Sequence, residues 1–264
     1  MIKLIASDID GTLLQNGETE ISHRFFREAE RLMKQGVAVC AASGRQYKSL
    51  RHLFAPLADR MYFLCENGAV VYMPGEPPKL LSKTVIDRAL SLELCRDILE
   101  IPGCELLISG SNMSYLCPKT ESYLDHIRYF VGNNVTVLDS PQEMPEDFVK
   151  ISAYYLPGAE RLEPMLVPKW GKRLGAAIAG KCWLDFTLAD KATGIRALYS
   201  ALNVTAEETM AFGDNYNDVP MLDAVGHPYI MASAAESLRQ RYANRCTRPE
   251  DVMENCNRMF SDAL

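Results

Sequence analysis

The sequence predicts an α/β fold: a parallel-sheet core built from both ends of the chain, interrupted by an inserted α+β domain. Three observations carry this expectation. Short apolar runs alternate with amphipathic helical patterns up to Cys65, the grammar changes near Met73, and it resumes at Asp190. Strand, helix and strand in that order suit parallel strands joined by helical crossovers.

The elements follow in order. Ile2 to Ser7 is an apolar run of strand length. Ser22 to Gln35 has a helical period, with Phe25, Ala29, Leu32 and Met33 on one face, and Gly36 supplies the stop. Val37 to Ala42 reads as a second strand, Gln46 to Leu57 as a second helix, and Met61 to Cys65 as a third strand. Pro74-Gly75-Glu76-Pro77-Pro78 then marks a boundary. Beyond it lie a helix over Asp87 to Leu99 and strands over Glu105 to Ile108 and Lys150 to Tyr155. The α/β pattern returns with a helix from Asp190 to Leu202, a strand from Thr209 to Phe212 and a helix over Val219 to Ala224. A strand near Tyr229 to Met231 and two terminal helices complete it. The expected domains are therefore 1–82 with 186–264 for the core, and 83–185 for the insertion.

Composition narrows the function. The 264 residues are 48% hydrophobic and 23% charged, which suits a globular chain and argues against disorder. With 28 Lys and Arg against 34 Asp and Glu, the net charge is −6. Such a chain is a poor candidate for nucleic acid. No apolar stretch is long enough to span a bilayer, and Asp8 and Asp10 interrupt the N-terminal run, so neither a membrane nor a secretory role is expected. None of the eight cysteines forms a Cys-x-x-Cys pair, and they read as reduced thiols of a cytoplasmic protein.

Four segments carry chemistry. Asp8-Ile9-Asp10-Gly11-Thr12 follows the first strand, Ser43-Gly44-Arg45 follows the second, Lys191 opens a helix, and Gly213-Asp214-Asn215-Tyr216-Asn217-Asp218 follows a later strand. In open parallel sheets, loops at the carboxyl ends of strands form the ligand crevice. Asp8, Asp10, Asp214 and Asp218 would then converge beside an amine and a hydroxyl. Clustered carboxylates require a cation, and oxygen donors without nearby His or Cys suit Mg²⁺. Lys191, the Ser43 hydroxyl and loop amides add donors, which together describe a phosphoryl site. On a strand end alternate residues point the same way, so Asp8 and Asp10 should both face the crevice: one carboxylate attacks phosphorus while the other moves protons.

These ordered motifs resemble those of the haloacid dehalogenase (HAD) superfamily, and the insertion looks like the type C2B cap of its Cof-type, or type IIB, phosphatases. The motifs bracket residues 8 to 218. The resemblance implies a Rossmann-like HAD core, Asp8 as nucleophile and Asp10 as acid/base. It implies Mg²⁺ held by Asp8, the backbone carbonyl of Asp10 and Asp214, with Asp218 supporting. Phosphate would be gripped by Ser43, with the adjacent Gly44, Lys191 and Asn217. Glu66-Asn67-Gly68-Ala69 also looks like this branch, where the Asn lies near the substrate. Ala192 departs from the Gly that many relatives carry after the lysine. A small phosphorylated metabolite is the expected partner, with no cofactor besides the metal.

Plainer readings stand beside these. Ser43 with Gln46 fits a helix capping box, Asn217 and Asp218 could serve a helix N-terminus, and Lys191 alone would be a solvated first-turn residue. His126, with Tyr123, Arg128 and Tyr129, fits an ordinary surface of the insertion better than a substrate site. Tyr216 and Val219 stand where a calcium loop needs other residues. A signalling receiver needs neither a second Asp nor an insertion, and a P-type pump needs membrane helices and Thr in place of Asp10. A phosphomutase of the same fold, or a regulatory protein without turnover, are the alternatives to a phosphatase.

Overall fold

The computed structural model describes residues 1–261; the last three residues of the expected core segment, 262–264, lie outside the described residues. The chain divides into two compact units. The first comprises Met1–Arg45, Leu50–Ser82 and the chain from Asp190 onward; the second comprises Gln46–Ser49 and Lys83–Ala189. The second therefore runs on past position 185 to Ala189.

The first unit is built on an eight-stranded sheet. Its order is Arg245–Cys246, His227–Met231, Thr209–Gly213, Leu4–Ser7, Ala38–Ala42, Tyr62–Cys65, Val70–Met73 and Lys79–Lys83. The first six strands run parallel, and the pairing of Tyr62–Cys65 with Val70–Met73 is antiparallel. The central strands are continuous apolar runs because both faces are covered: Leu4, Ile5, Ala6, Val39 and Cys40 are all buried. Register matters most at the C-terminal ends. Ser7 pairs with Phe212 on one side and Ala41 on the other, so three loops leave the sheet side by side.

Caps set the flanking helices. Ser22 accepts from the Phe25 amide at 3.1 Å and opens His23–Lys34. Asp190 opens Lys191–Leu202, with Thr193 closing a reciprocal capping box. The second helix is shorter than its pattern predicts: it spans Tyr47–Leu53 and not 46–57. Pro56 accounts for the early stop, since its ring and missing N–H oppose another helical turn. Phe54 and Leu57, which completed the apparent period, are buried in the turn that follows.

The second unit carries a six-stranded sheet ordered Gly175–Ile178, Trp183–Thr187, Lys150–Tyr155, Cys104–Ser109, Ser114–Leu116 and Val135–Val137. Its pairs are antiparallel except the last. One face packs Leu106, Ile108, Ile151, Ala153, Leu184 and Phe186 into a core with Leu94, Ile98 and Trp170 from the helices Arg88–Glu100 and Glu163–Trp170. The opposite face holds Leu107, Leu116 and Tyr154 with Tyr123 and Ile127. The His126 ring lies against Tyr154, 5.5 Å between centroids, half-buried at the edge of this cluster. Among the described residues, all eight cysteines are free thiols, and no helix is long and apolar enough to cross a membrane.

Candidate active site

The first unit buries Asp8, Asp218 and Lys191 together at the carboxyl end of its sheet. Asp8 follows the strand Leu4–Ser7 and is anchored by its amide, which donates to the Phe212 carbonyl at 2.9 Å. Lys191, at the first turn of Lys191–Leu202, is fully buried. Its Nζ donates to Asp8 Oδ1 and to Asp218 Oδ1, both at 2.5 Å. The solvated first-turn reading of this lysine is thereby overturned: a helix N-terminus disfavours a cation, but two buried carboxylates hold it. Asp218 is also fully buried, and its other oxygen accepts from the Asp214 and Asn215 amides at 2.9 and 3.0 Å. The cap at this short helical turn is Asn215, not Asn217. Asp218 closes that capping box with one oxygen and binds Lys191 with the other, so its helix-terminus role holds without using up its second oxygen.

Asp214 completes the cluster. Thr12 Oγ1 donates to its Oδ1 at 3.3 Å, and ligand oxygens of Asp8, Asp214 and Asp218 lie within 4.8 Å of one another. Gly11 makes room for this approach. Its φ is +93°, and a Cβ there would stand 2.1 Å from Asp214 Oδ2. The Asp-Gly-Thr run thus has a packing reason for both its Gly and its Thr.

The electrostatics follow from burial. Burial pushes the Asp8 carboxyl up to about 8, reinforced by Asp218 and only partly opposed by Lys191. Burial and the charge of Asp218 push Asp214 up to about 6, against the pull of Thr12 and Lys191. Burial also opposes the charge on Lys191, but Asp218 and Asp8 together outweigh it and hold the ammonium above its ordinary range. Three carboxylates around one lysine leave net negative charge in a dry place. Asp8 Oδ2 is buried with no hydrogen-bond partner among the described residues. A buried carboxylate oxygen left over in this way is the kind of donor that a hard cation uses.

The Asp10 carboxylate has a different partner. The strand ends at Ser7, and the amides of Thr12, Leu13 and Leu14 turn back onto the Ile9 carbonyl. Strand alternation therefore stops before Asp10, and the expectation that it faces the same way as Asp8 on that ground fails. Its side chain is 57% exposed and is held by Arg45 in a two-bond fork, Nε to Oδ2 at 2.8 Å and Nη2 to Oδ1 at 2.6 Å. Arg45 and Thr12 stand inside the Ser-Gly-Arg and Asp-Gly-Thr motifs but have no role that residue order alone assigns, although an arginine in a loop at the same sheet end as a carboxylate loop is a signal of pairing.

Ser43 is buried and its Oγ accepts from the Arg45 amide at 3.2 Å. The capping-box reading fails, because the helix begins only at Tyr47 and Gln46 accepts from the Asn134 amide instead. Gly44 faces Asn67: a Cβ there would lie 3.1 Å from Asn67 Oδ1, tighter than ordinary contact. Asn67 sits in a left-handed turn with Glu66 and Gly68, and its amide donates to the Ser43 carbonyl at 3.0 Å. Its Oδ1 is a second buried polar atom without a hydrogen-bond partner among the described residues. Asn217 is exposed in the helical turn Tyr216–Asp218.

A buried carboxylate at a strand end, a buried lysine bonded to it and an oxygen-rich cluster are the parts that a phosphoryl-transfer site requires. The chain belongs to the haloacid dehalogenase-like hydrolases, whose family model matches residues 5–251. Among its relatives, the 5-amino-6-(5-phospho-D-ribitylamino)uracil phosphatase YbjI of Escherichia coli is 27% identical, over 90% of this chain and 88% of that one. The phosphatase YitU of Bacillus subtilis, named for the same substrate, is 28% identical over 92% and 91%. A solved structure from Eubacterium rectale superposes with a TM-score of 0.85 at 27% identity, covering 100% of this chain and 99% of its own. The HAD subclass IIB sugar phosphatase BT4131 shares the fold, with a TM-score of 0.78 at 21% identity over 99% and 98%. The family that the motifs resemble is thus the chain's own, and its two-unit α/β fold is shared by these structures.

Proposed function

We propose that this hydrolase is a Mg²⁺-dependent phosphatase. Its substrate is a small phosphorylated metabolite, a sugar phosphate or similar monoester, cleaved through an aspartyl-phosphate on Asp8. The observation that carries the reading is Lys191, buried between Asp8 and Asp218 beside Asp214. The donor set fits Mg²⁺: carboxylate oxygens only, one of them buried and unpartnered at Asp8 Oδ2. Asp8, Asp214 and the carbonyl of Asp10 would hold the ion, supported by Asp218. When bound, it supplies positive charge that keeps Asp8 ionised and neutralises phosphate oxygens.

The chain's own residues do the remaining work. Asp8 attacks phosphorus as the ester P–O bond breaks, and Asp10 gives its proton to the departing alkoxide. Water then attacks the acyl-phosphate, gives a proton to Asp10, and releases phosphate with the Asp8 carboxylate restored. Lys191 neutralises oxygens in both steps, while the Ser43 hydroxyl, the Gly44 amide and Asn217 bind phosphate. Asn67 stands beside Gly44, where a substrate could use its unpaired oxygen.

The test is phosphate release from a panel of esters, with Mg²⁺ and with excess EDTA. The panel contains p-nitrophenyl phosphate, hexose and pentose phosphates, nucleotides, FMN, pyridoxal phosphate and the phosphoribitylaminouracil for which two relatives are named. Release that EDTA abolishes supports the reading. Loss of ester with its phosphate moved to another hydroxyl, and no free phosphate, would replace it with a mutase. No release from any ester counts against it.

A further inference from the structure

We infer that Arg45 is a positioning residue for Asp10, and that it acts in every step in which Asp10 moves a proton; this rests on the phosphatase reading above. Asp10 lies on a loop, past the end of its strand, with its carboxylate more than half exposed. A short side chain in that setting rotates freely about χ1 and χ2 unless something holds it. Proton transfer tolerates little misplacement, since donor and acceptor must come within hydrogen-bond reach in the reacting geometry. Arg45 meets the need with two parallel bonds, at 2.8 and 2.6 Å, which fix the plane of the carboxylate as well as its place. Each oxygen keeps lone pairs outside the fork for a proton.

Arg45 is itself held at its backbone. Its amide donates to Ser43 Oγ at 3.2 Å and its carbonyl accepts from the Glu66 amide at 3.2 Å. Glu66 and Asn67 adopt φ of +50° and +56°, a conformation that non-glycine residues avoid. Sequential anchoring therefore runs from a strained turn to the Ser43–Arg45 loop, and from that loop through the guanidinium to Asp10. A lysine could supply the charge but not the fork.

The chemistry offers a way to isolate this role. With p-nitrophenyl phosphate the leaving phenolate needs no proton, so attack by Asp8 and P–O cleavage proceed without Asp10. Hydrolysis of the resulting acyl-phosphate still needs Asp10 to take a proton from water. Rapid mixing of wild type, R45A, R45K, D10N and the D10N/R45A double variant with this ester and Mg²⁺ separates the two steps. In R45A the first turnover of p-nitrophenolate should stay within about threefold of wild type. Its steady-state rate should fall by about tenfold or more, leaving a burst of product and accumulated phosphoenzyme. R45K should recover part of the steady-state rate, and R45A should add little to D10N because both act through one group. A burst and a steady state slowed equally, or a full additional loss in the double variant, would overturn the inference while leaving the phosphatase intact. A wild type that releases phosphate from no ester of the panel, p-nitrophenyl phosphate included, would remove the phosphatase reading, and the inference with it.

Discussion

Binding of Mg²⁺ to this protein should release protons, and the number should depend steeply on pH. The reasoning starts from Asp8 and Asp214, whose carboxyls burial and neighbouring charge push up to about 8 and about 6. A divalent ion binds the ionised forms, so it must displace whatever protons they hold. At pH 5 both are protonated and about two protons leave; at pH 7 about one leaves, almost all of it from Asp8. The apparent affinity should therefore rise by on the order of 10³ to 10⁴ between pH 5 and pH 8. Lys191 stays charged throughout and contributes nothing to the count. Stability follows the same groups. Between the ordinary value of 3.8 and the raised ones, the folded protein binds more protons than the unfolded chain. The metal-free stability from these two groups is thus fully present below about pH 4, and is lost as the pH rises through about 6 and about 8. Saturating Mg²⁺ should cancel most of that loss. Titration calorimetry in two buffers of different ionisation enthalpy counts the protons, and urea unfolding with and without Mg²⁺ follows the stability. An affinity independent of pH, with no proton release at pH 5, would show that the carboxylates are already ionised in the free protein and would sink the argument.

Three further outcomes follow from packing and charge. Lys191→Met keeps the length of the side chain but strands Asp8 and Asp218, both buried. Breaking such a pair costs about 3–5 kcal/mol, so urea unfolding in EDTA should show a loss of that order, with turnover reduced about a hundredfold or more. Gly11→Ala places a Cβ against Asp214 at a φ of +93°. It should weaken Mg²⁺ binding by about tenfold or more and cost about 1–3 kcal/mol of stability, whereas unchanged calorimetric affinity would mean that Asp214 is not a ligand. Trp170→Ala empties the centre of the second unit's core, where the ring is fully buried, and should destabilise by about 3–5 kcal/mol. A denaturation midpoint left in place would contradict the assigned packing.

Much of the molecule is legible along the chain because its causes are local. Apolar runs of strand length, the helical period of His23–Lys34, and the caps at Ser22, Asp87 and Asp190 all act within a few residues. The segment Gln46 to Leu57 shows the limit. Its apolar spacing fits a helix, yet Pro56 stops the helix short and Phe54 and Leu57 serve the core from a turn. Motif order foretold that Asp8, Asp214, Asp218 and Lys191 would meet, because strand ends in a parallel sheet must lie together.

What residue order could not supply is who pairs with whom. Lys191 is solvated or buried depending on two carboxylates 183 and 27 positions away, and only the packed sheet brings them to 2.5 Å. Asp10 shows the converse. Two positions from Asp8 in the chain, it is drawn by Arg45, 35 positions on, into a separate fork. Hydrophobic patterns and caps are written in nearest neighbours and survive in the sequence alone. Charges are sorted by desolvation, and how dry a carboxylate becomes is decided only when the whole core closes around it.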